Sequence, residues 1–189
     1  MEVSSQYLAR LNQGAFEDPR VQIVIEDGRK YVSEYCGDPF DVIISDLTDP
    51  LGPSALLYTK EFYSTLERLL ARPGCLVVQA QSIDYYKKIH ASVYLTLRSV
   101  FKYTAVYAVP VLSFSMIWAF VLASNDLDFS AIKPRIIEKR IKERGLCLKY
   151  FDPRKYQLAR LTVELVADEV YQEGRILTDD HPISIKELK

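Results

Sequence analysis

Asp46 and Asp49 stand three residues apart in the run Asp46-Leu47-Thr48-Asp49-Pro50-Leu51-Gly52-Pro53. The apolar stretch Phe40-Asp41-Val42-Ile43-Ile44-Ser45 precedes them and reads as a strand. Such a strand delivers both acids into a loop that Pro50 and Pro53 stiffen, since each proline ring locks its own φ. The loop then holds negative charge at a fixed place at the carboxyl end of a sheet. That charge suits a cationic substrate, or a nucleophile that must lose a proton. Alone, Asp46 reads equally well as a capping carboxylate after a strand.

Other polar residues invite weaker readings. Asp27-Gly28 follows the apolar run 21–25 and is, by itself, a common turn dipeptide. Gln79 stands at the end of an apolar run and reads as a polar strand end or a ligand contact. Phe114 and Trp118 suit a core or a pocket wall. Tyr85, Tyr86 and His90 fall on one helix and read as packing. His181, in Asp179-Asp180-His181-Pro182, suggests a metal, but adjacent residues rarely converge on one ion, so no metal site is expected.

The chain around these residues is of ordinary globular composition. It has 189 residues, 49% apolar and 26% charged, with a net charge of −1. Nothing global calls for nucleic acid or a membrane. The longest apolar run, around 117–123, suits a buried strand rather than a membrane span. The start is polar and amphipathic, without a secretory leader pattern. Cys36, Cys75 and Cys147 are scattered and odd in number, as expected of thiols in a reducing cytoplasm.

The periodicity predicts a helix over 3–12, with Val3, Tyr7, Leu8 and Leu11 on one face. A strand over 21–25 and a short helix over 29–35 follow. The strand 42–45 is continuously apolar, as in a parallel sheet buried on both faces. A helix over 59–70, a strand over 75–79, a helix over 83–101 and strands near 103–110 and 116–123 complete the pattern. The last two lack an intervening helix and are expected to pair antiparallel at one edge. The fold class is therefore α/β, an open sheet with ligands at the carboxyl ends of its strands. Asp27-Gly28, Asp46 to Pro53 and Gln79 to Ser82 all fall there.

The last third differs. Between Lys133 and Arg160 there are ten Lys or Arg against three Asp or Glu. This reads as a solvated helical face that packs through its Ile and Leu. The chain is expected to form a single domain over 1–189, with sheet and helices in 1–125 and a helical extension in 126–189. No GxGxxG occurs, and the chain opens directly on a helix.

The segments NQGAFEDPRVQIVIEDGRKYV (12–32), DVIISDLTDPLGPSALLYTKEFYSTLERLL (41–70) and PGCLVVQAQS (73–82) resemble the aminopropyltransferases, the spermidine synthase family. The ending ILTDDHPISI (176–185) resembles the carboxyl terminus of many members. The stretch 107–124, with Ser113, Phe114 and Trp118, looks closer to thermospermine and archaeal long-chain polyamine synthases. The resemblance implies a class I methyltransferase-like, Rossmann-like sheet with helices on both faces. It also implies that the first strands, the glycine-rich donor turn and an amino-terminal β-domain are absent here.

The family moves an aminopropyl group from decarboxylated S-adenosylmethionine to a polyamine amine and leaves methylthioadenosine. It uses no cofactor beyond that co-substrate. Carried over by motif, Asp46 is the proton acceptor. Asp49, with Leu47 and Thr48, binds the polyamine, and Gln79 contacts it. Asp27 and Gly28 meet the adenine end of the donor, and Pro53 lines the donor pocket. The implied partners are a small-molecule polyamine and either a second copy of the chain or a missing amino-terminal part, with no nucleic acid and no membrane. The alternative is a truncated, non-catalytic homologue that acts as a binding or partner subunit. The acceptor stays open among putrescine, agmatine, spermidine and longer amines.

Overall fold

The computed structural model describes residues 2–164, 170–184 and 187. Ile185, the last residue of the matched ending, lies outside them. The chain forms two compact units, Met1–Tyr35 and Cys36–Lys189.

The first unit is helical. The helix expected over 3–12 is broken into α1 (Glu2–Tyr7) and α2 (Ala9–Asn12). Leu8 leaves the helical region between them, at φ −114° and ψ 24°. Val3, Tyr7, Leu8 and Leu11 are all exposed, so this stripe buries nothing that would hold one continuous helix. Residues 21–25 form no strand, contrary to the sequence pattern. A strand exists through hydrogen bonds to a neighbour, and no segment of the described residues pairs with this one. Val21, Ile23, Val24 and Ile25 are accordingly exposed. Helix α3 (Gly28–Glu34) then begins at Asp27, whose carboxylate accepts from the Lys30 amide at 2.8 Å.

The second unit is a mixed four-stranded sheet with helices. Strand β1 (Phe40–Ser45) pairs parallel with β2 (Leu70–Ser82). Helix α4 (Lys60–Arg68) connects them, and Thr59 caps its start. Helix α5 (Lys87–Arg98) follows β2, and β3 (Tyr103–Val111) and β4 (Met116–Ser124) form an antiparallel hairpin. The spatial order is β1-β2-β4-β3, with β4 antiparallel to β2. Helices α6 (Pro134–Glu143) and α7 (Pro153–Glu164) come next. On α6, Ile136, Ile137 and Ile141 are half-buried while Arg135, Lys139, Arg140 and Lys142 face solvent. Among the described residues no helix is long and apolar enough to cross a membrane.

Two helix boundaries depart from the periodicity for a hydrogen-bonding reason, and one strand departs in its burial. Helix α4 stops at Arg68 rather than Leu70, because the Phe40 amide takes the Leu69 carbonyl and Leu70 pairs with Phe40. Helix α5 starts at Lys87 rather than Ile83, because the Ile83 amide donates to the Ile117 carbonyl of β4. Strand β1 is not buried on both faces: Val42 and Ile44 are 52% and 72% exposed. Among the described residues it is an edge strand, paired with β2 alone.

Alternate residues of β2 and β4 fill the core. Leu76, Val78 and Ala80 of β2 and Ala119, Val121 and Ala123 of β4 are fully buried. Ile89, Val93 and Leu97 repeat every four residues on α5, which packs on β2, β3 and β4. Val163 of α7 joins Ile83, Ala108 and Ala119 in one cluster.

A carboxyl-terminal strap then crosses α5 and returns to the start of α4. Gly174 admits it, since a Cβ there would lie 2.7 Å from the Ala91 backbone carbon. The Arg175 and Leu177 amides donate to Ser92 Oγ (3.2 Å) and Thr96 Oγ1 (2.9 Å). The Leu177 carbonyl accepts from the Lys60 amide at 2.8 Å, and Asp179 accepts from Thr59 Oγ1 at 2.6 Å.

His90 joins α5 to the end of β2. Its Nδ1 lies 2.9 Å from the Ala80 carbonyl, which can only accept, so Nδ1 carries the hydrogen. Tyr171 stands 3.5 Å from Nε2 on the other side. Burial pushes His90 down from 6.5 to about 4, and its bond to the Ala80 carbonyl opposes this only in part. Unfolded, the ring protonates near 6.5; folded, it stays neutral down to about 4. Stability is therefore full above 6.5 and falls as pH drops toward 4. The loss by the bottom of that window is about 3 kcal/mol. Urea unfolding of wild type and His90→Asn across this range checks it. The difference between the two curves should shrink as pH falls, and parallel curves would refute the assignment.

Candidate active site

The site is organised by an irregularity in β2. Gln79 pairs with Phe120 of β4, but the next registered pair is Ser82 with Trp118. Three steps on β2 oppose two on β4, so β2 carries one extra residue, a β-bulge. Gln81 absorbs it, at φ 63°, in the left-handed region that residues with a Cβ rarely adopt. The bulge lies at the carboxyl end of β2, beside the loop that leaves β1 at Asp46.

Gln79 is 4% exposed, and its amide is fully committed. Nε2 donates to the Leu47 carbonyl at 3.2 Å and to the Tyr58 hydroxyl at 3.1 Å. Oε1 accepts from the Gln81 backbone amide at 2.9 Å and from the Trp118 indole at 3.1 Å. A primary amide offers two donors and two lone pairs, so no position is left for a ligand. The sequence reading placed Gln79 against an acceptor; the geometry instead turns it into the protein.

Tyr58 extends this grip. It ends the 3₁₀ helix Gly52–Tyr58, is fully buried, and donates to the Thr48 carbonyl at 2.9 Å. Burial pushes its phenol well above the usual tyrosine value; the Gln79 bond opposes this, and the charges of Asp49 and Asp46 add to it. The phenol thus stays protonated and remains a donor.

The rest of the loop is pinned from its far side. Ser54 Oγ lies within hydrogen-bond reach of the Asp49 and Leu51 carbonyls. Gly52 sits at φ 57°, and Pro53 follows in the first turn of the 3₁₀ helix. Pro50 is buried. Asp46 and Asp49 themselves are exposed. The Asp46 carboxylate has no hydrogen bond among the described residues. The Asp49 carboxylate accepts one, from Gln81 Nε2 to Oδ1 at 2.9 Å.

The hairpin between β3 and β4 supplies an aromatic border. Phe114 and Trp118 rings lie 5.0 Å apart at 55°, and Phe114 is half-exposed. The structure thus brings together Asp46, Leu47, Thr48, Asp49, Pro53 and Gln79 in the second unit. Asp27 and Gly28 belong to the first unit, where they form the start of α3 rather than a free turn. Tyr58 and Gln81 were not singled out by sequence. Tyr58 reads as one more aromatic near a helix start, and nothing local marks Gln81 as the bulge residue. His181 uses its backbone, donating to the Thr178 carbonyl and accepting from Arg175. No group of three or more His, Cys, Asp or Glu gathers among the described residues.

Comparison with known proteins bears on this geometry. Residues 1–132 match the family model described as the spermine/spermidine synthase domain. Polyamine aminopropyltransferase 1 of Hyperthermus butylicus is 38% identical over 166 residues, covering 85% of this chain and 57% of that protein. A polyamine aminopropyltransferase of Korarchaeum cryptofilum is 35% identical over 189 residues, covering 99% of this chain and 58% of that protein. The chain thus spans less than two thirds of the length of these relatives. Among solved structures, a spermidine synthase in complex with the transition state analogue AdoDATO superposes with a TM-score of 0.77 at 29% identity, covering 89% of this chain and 57% of that one. The spermidine synthase of Thermotoga maritima gives 0.72 at 28% identity, covering 87% and 56%.

Gln79 and Asp46 should behave oppositely when changed. Gln79→Leu strands the Trp118 and Gln81 donors and the Leu47 carbonyl, and should lose about 2–4 kcal/mol of stability. Asp46→Asn touches no hydrogen bond and should stay within about 0.5 kcal/mol of wild type. Denaturant unfolding of both proteins tests this; equal losses would contradict the structural role of the Gln79 amide.

Proposed function

The chain belongs to the spermine/spermidine synthase family, and from that premise we propose that it transfers an aminopropyl group from decarboxylated S-adenosylmethionine to a polyamine amine. The observation that carries this reading is the pair of exposed carboxylates on one loop whose backbone Gln79 and Tyr58 hold from behind.

The chemistry asks for such a pair. An alkylammonium has a pKa of about 10.4, so at neutral pH nearly all of the acceptor is protonated and not nucleophilic. Asp46, exposed and unengaged, takes that proton. The freed amine nitrogen attacks the aminopropyl carbon bonded to the sulfonium. The carbon–sulfur bond breaks, sulfur keeps the electron pair, and neutral methylthioadenosine leaves. Asp49 holds the acceptor's second ammonium, which fixes the line of attack. The donor is already activated by its sulfonium, so the protein's task is to position and to deprotonate.

The remaining residues take supporting roles. Leu47 and Thr48 give the acceptor a rigid backbone wall, because their carbonyls are already held. Gln79 positions the loop rather than touching the acceptor. Phe114 and Trp118 border the acceptor's path. Asp27, Gly28 and Pro53 keep the donor roles that the family resemblance implies. A cytoplasmic setting and assembly with a second copy or an amino-terminal part complete the proposal. No observation favours the non-catalytic alternative.

Release of methylthioadenosine tests the reading. It is measured with the chain alone and with the amino-terminal segment of an archaeal relative added. Asp46→Asn should lower kcat by at least about 100-fold, the span of a positioned general base. Asp49→Asn should act mainly on the acceptor KM. Full turnover by the Asp46→Asn protein would remove Asp46 from the mechanism.

A further inference from the structure

Gln81 combines two features that the proposed reaction leaves unexplained. It is 2% exposed and non-glycine, yet its backbone lies in the left-handed region, at φ 63°. Its side chain runs from the bulge to the exposed loop and donates to Asp49 Oδ1 at 2.9 Å. Glycine would adopt this backbone freely. Strained backbone persists only where the surroundings over-determine it, and it gathers at functional sites.

The surroundings here are specific. The Gln81 amide is locked to Gln79 Oε1 at 2.9 Å, which sets the bulge. The bulge adds one residue to β2 opposite β4, which turns the Gln81 side chain to Asp49. Asp49 has no other side-chain partner among the described residues. With Oδ1 engaged, Oδ2 is left for a cation, and the carboxylate plane is held at the Gln81 bond. Gln81 is neutral, so it orients Asp49 without cancelling its charge, as a lysine or arginine in the same place would.

We infer that Gln81 is a positioning residue that presents Asp49 to the distal ammonium of a di- or polyamine acceptor, and that its strained backbone exists for this placement. The inference rests on the reading of Asp49 as the ammonium-binding carboxylate. Its action lies on acceptor affinity and alignment, not on proton removal by Asp46.

Two variants separate this role from a purely structural one. Gln81→Met keeps the side-chain length and removes the donor. Gln81→Gly removes the donor and also relieves the backbone. In both, amide hydrogen exchange across residues 46–54 should quicken at least tenfold, and spermidine binding by calorimetry should weaken at least tenfold. The acceptor KM should rise by a similar factor, with the donor KM unchanged. The Tm of Gln81→Gly should stay level or rise. Unchanged exchange in both variants overturns the clamp. A lower Tm in Gln81→Gly with undiminished spermidine affinity assigns Gln81 to the scaffold and overturns the inference. A wild-type chain that neither binds spermidine or putrescine nor transfers an aminopropyl group overturns the functional reading and the acceptor part of this inference. The exchange measurement then still decides the clamp.

Discussion

The Gln79 side chain is the point on which the site depends. Its single amide joins the loop after β1, the 3₁₀ helix before α4, the bulge of β2 and the indole of β4. Each of these groups would otherwise be a polar atom at the sheet end in need of a partner, and an unmet buried donor is penalised more than a made bond is rewarded. A four-way saturated amide therefore selects one arrangement of four separate segments. Nothing apolar does this, because hydrophobic contact is non-directional. The exposed carboxylates inherit their placement from this buried neutral group.

The sheet shows the same dependence on partners at larger scale. Residues 21–25 and β1 have similar apolar sequences, but among the described residues only β1 has a neighbour to pair with. β1 becomes a strand along one side and leaves Val42 and Ile44 exposed. Residues 21–25 stay irregular. Local preference for extended structure is weak beside the hydrogen bonds of a ladder, so the same pattern gives two outcomes. The carboxyl-terminal strap works in the opposite direction. It has little regular structure of its own, yet Leu177 is fully buried and its backbone is held by α5 and α4. Through Thr59 and Asp179 it also fixes the start of the helix that follows the site loop.

Much of the architecture was legible in advance where pattern and chemistry agree. The alternation of strands and helices in 40–124, the antiparallel hairpin and the solvated basic face of α6 all follow from periodicity and charge. The loop 46–53 was legible because Pro50 and Pro53 lock their own φ and Gly52 admits a positive φ, whatever surrounds them. The register was not. The end of α4 at Arg68, the late start of α5 and the break at Leu8 depend on which distant backbone group competes for a hydrogen bond, or on whether a face finds anything to bury against. Gln81 was invisible for the same reason, since a bulge is a relation between two strands and not a property of either.

The sequence by itself supplied the elements of the proposed chemistry: two acids on a stiff turn, an apolar strand to deliver them, and segments shared with a family of aminopropyltransferases. Residue type carries charge and proton affinity directly, so these properties can be read in one dimension. The tertiary structure alone decided which polar side chains face outward and which turn in. It directed Gln79 into the protein, made Tyr58 a buried donor to the loop and set Gln81 against Asp49. Those assignments require three-dimensional neighbours, because a hydrogen-bonding group is a ligand contact or a scaffold only according to what already occupies its lone pairs and protons.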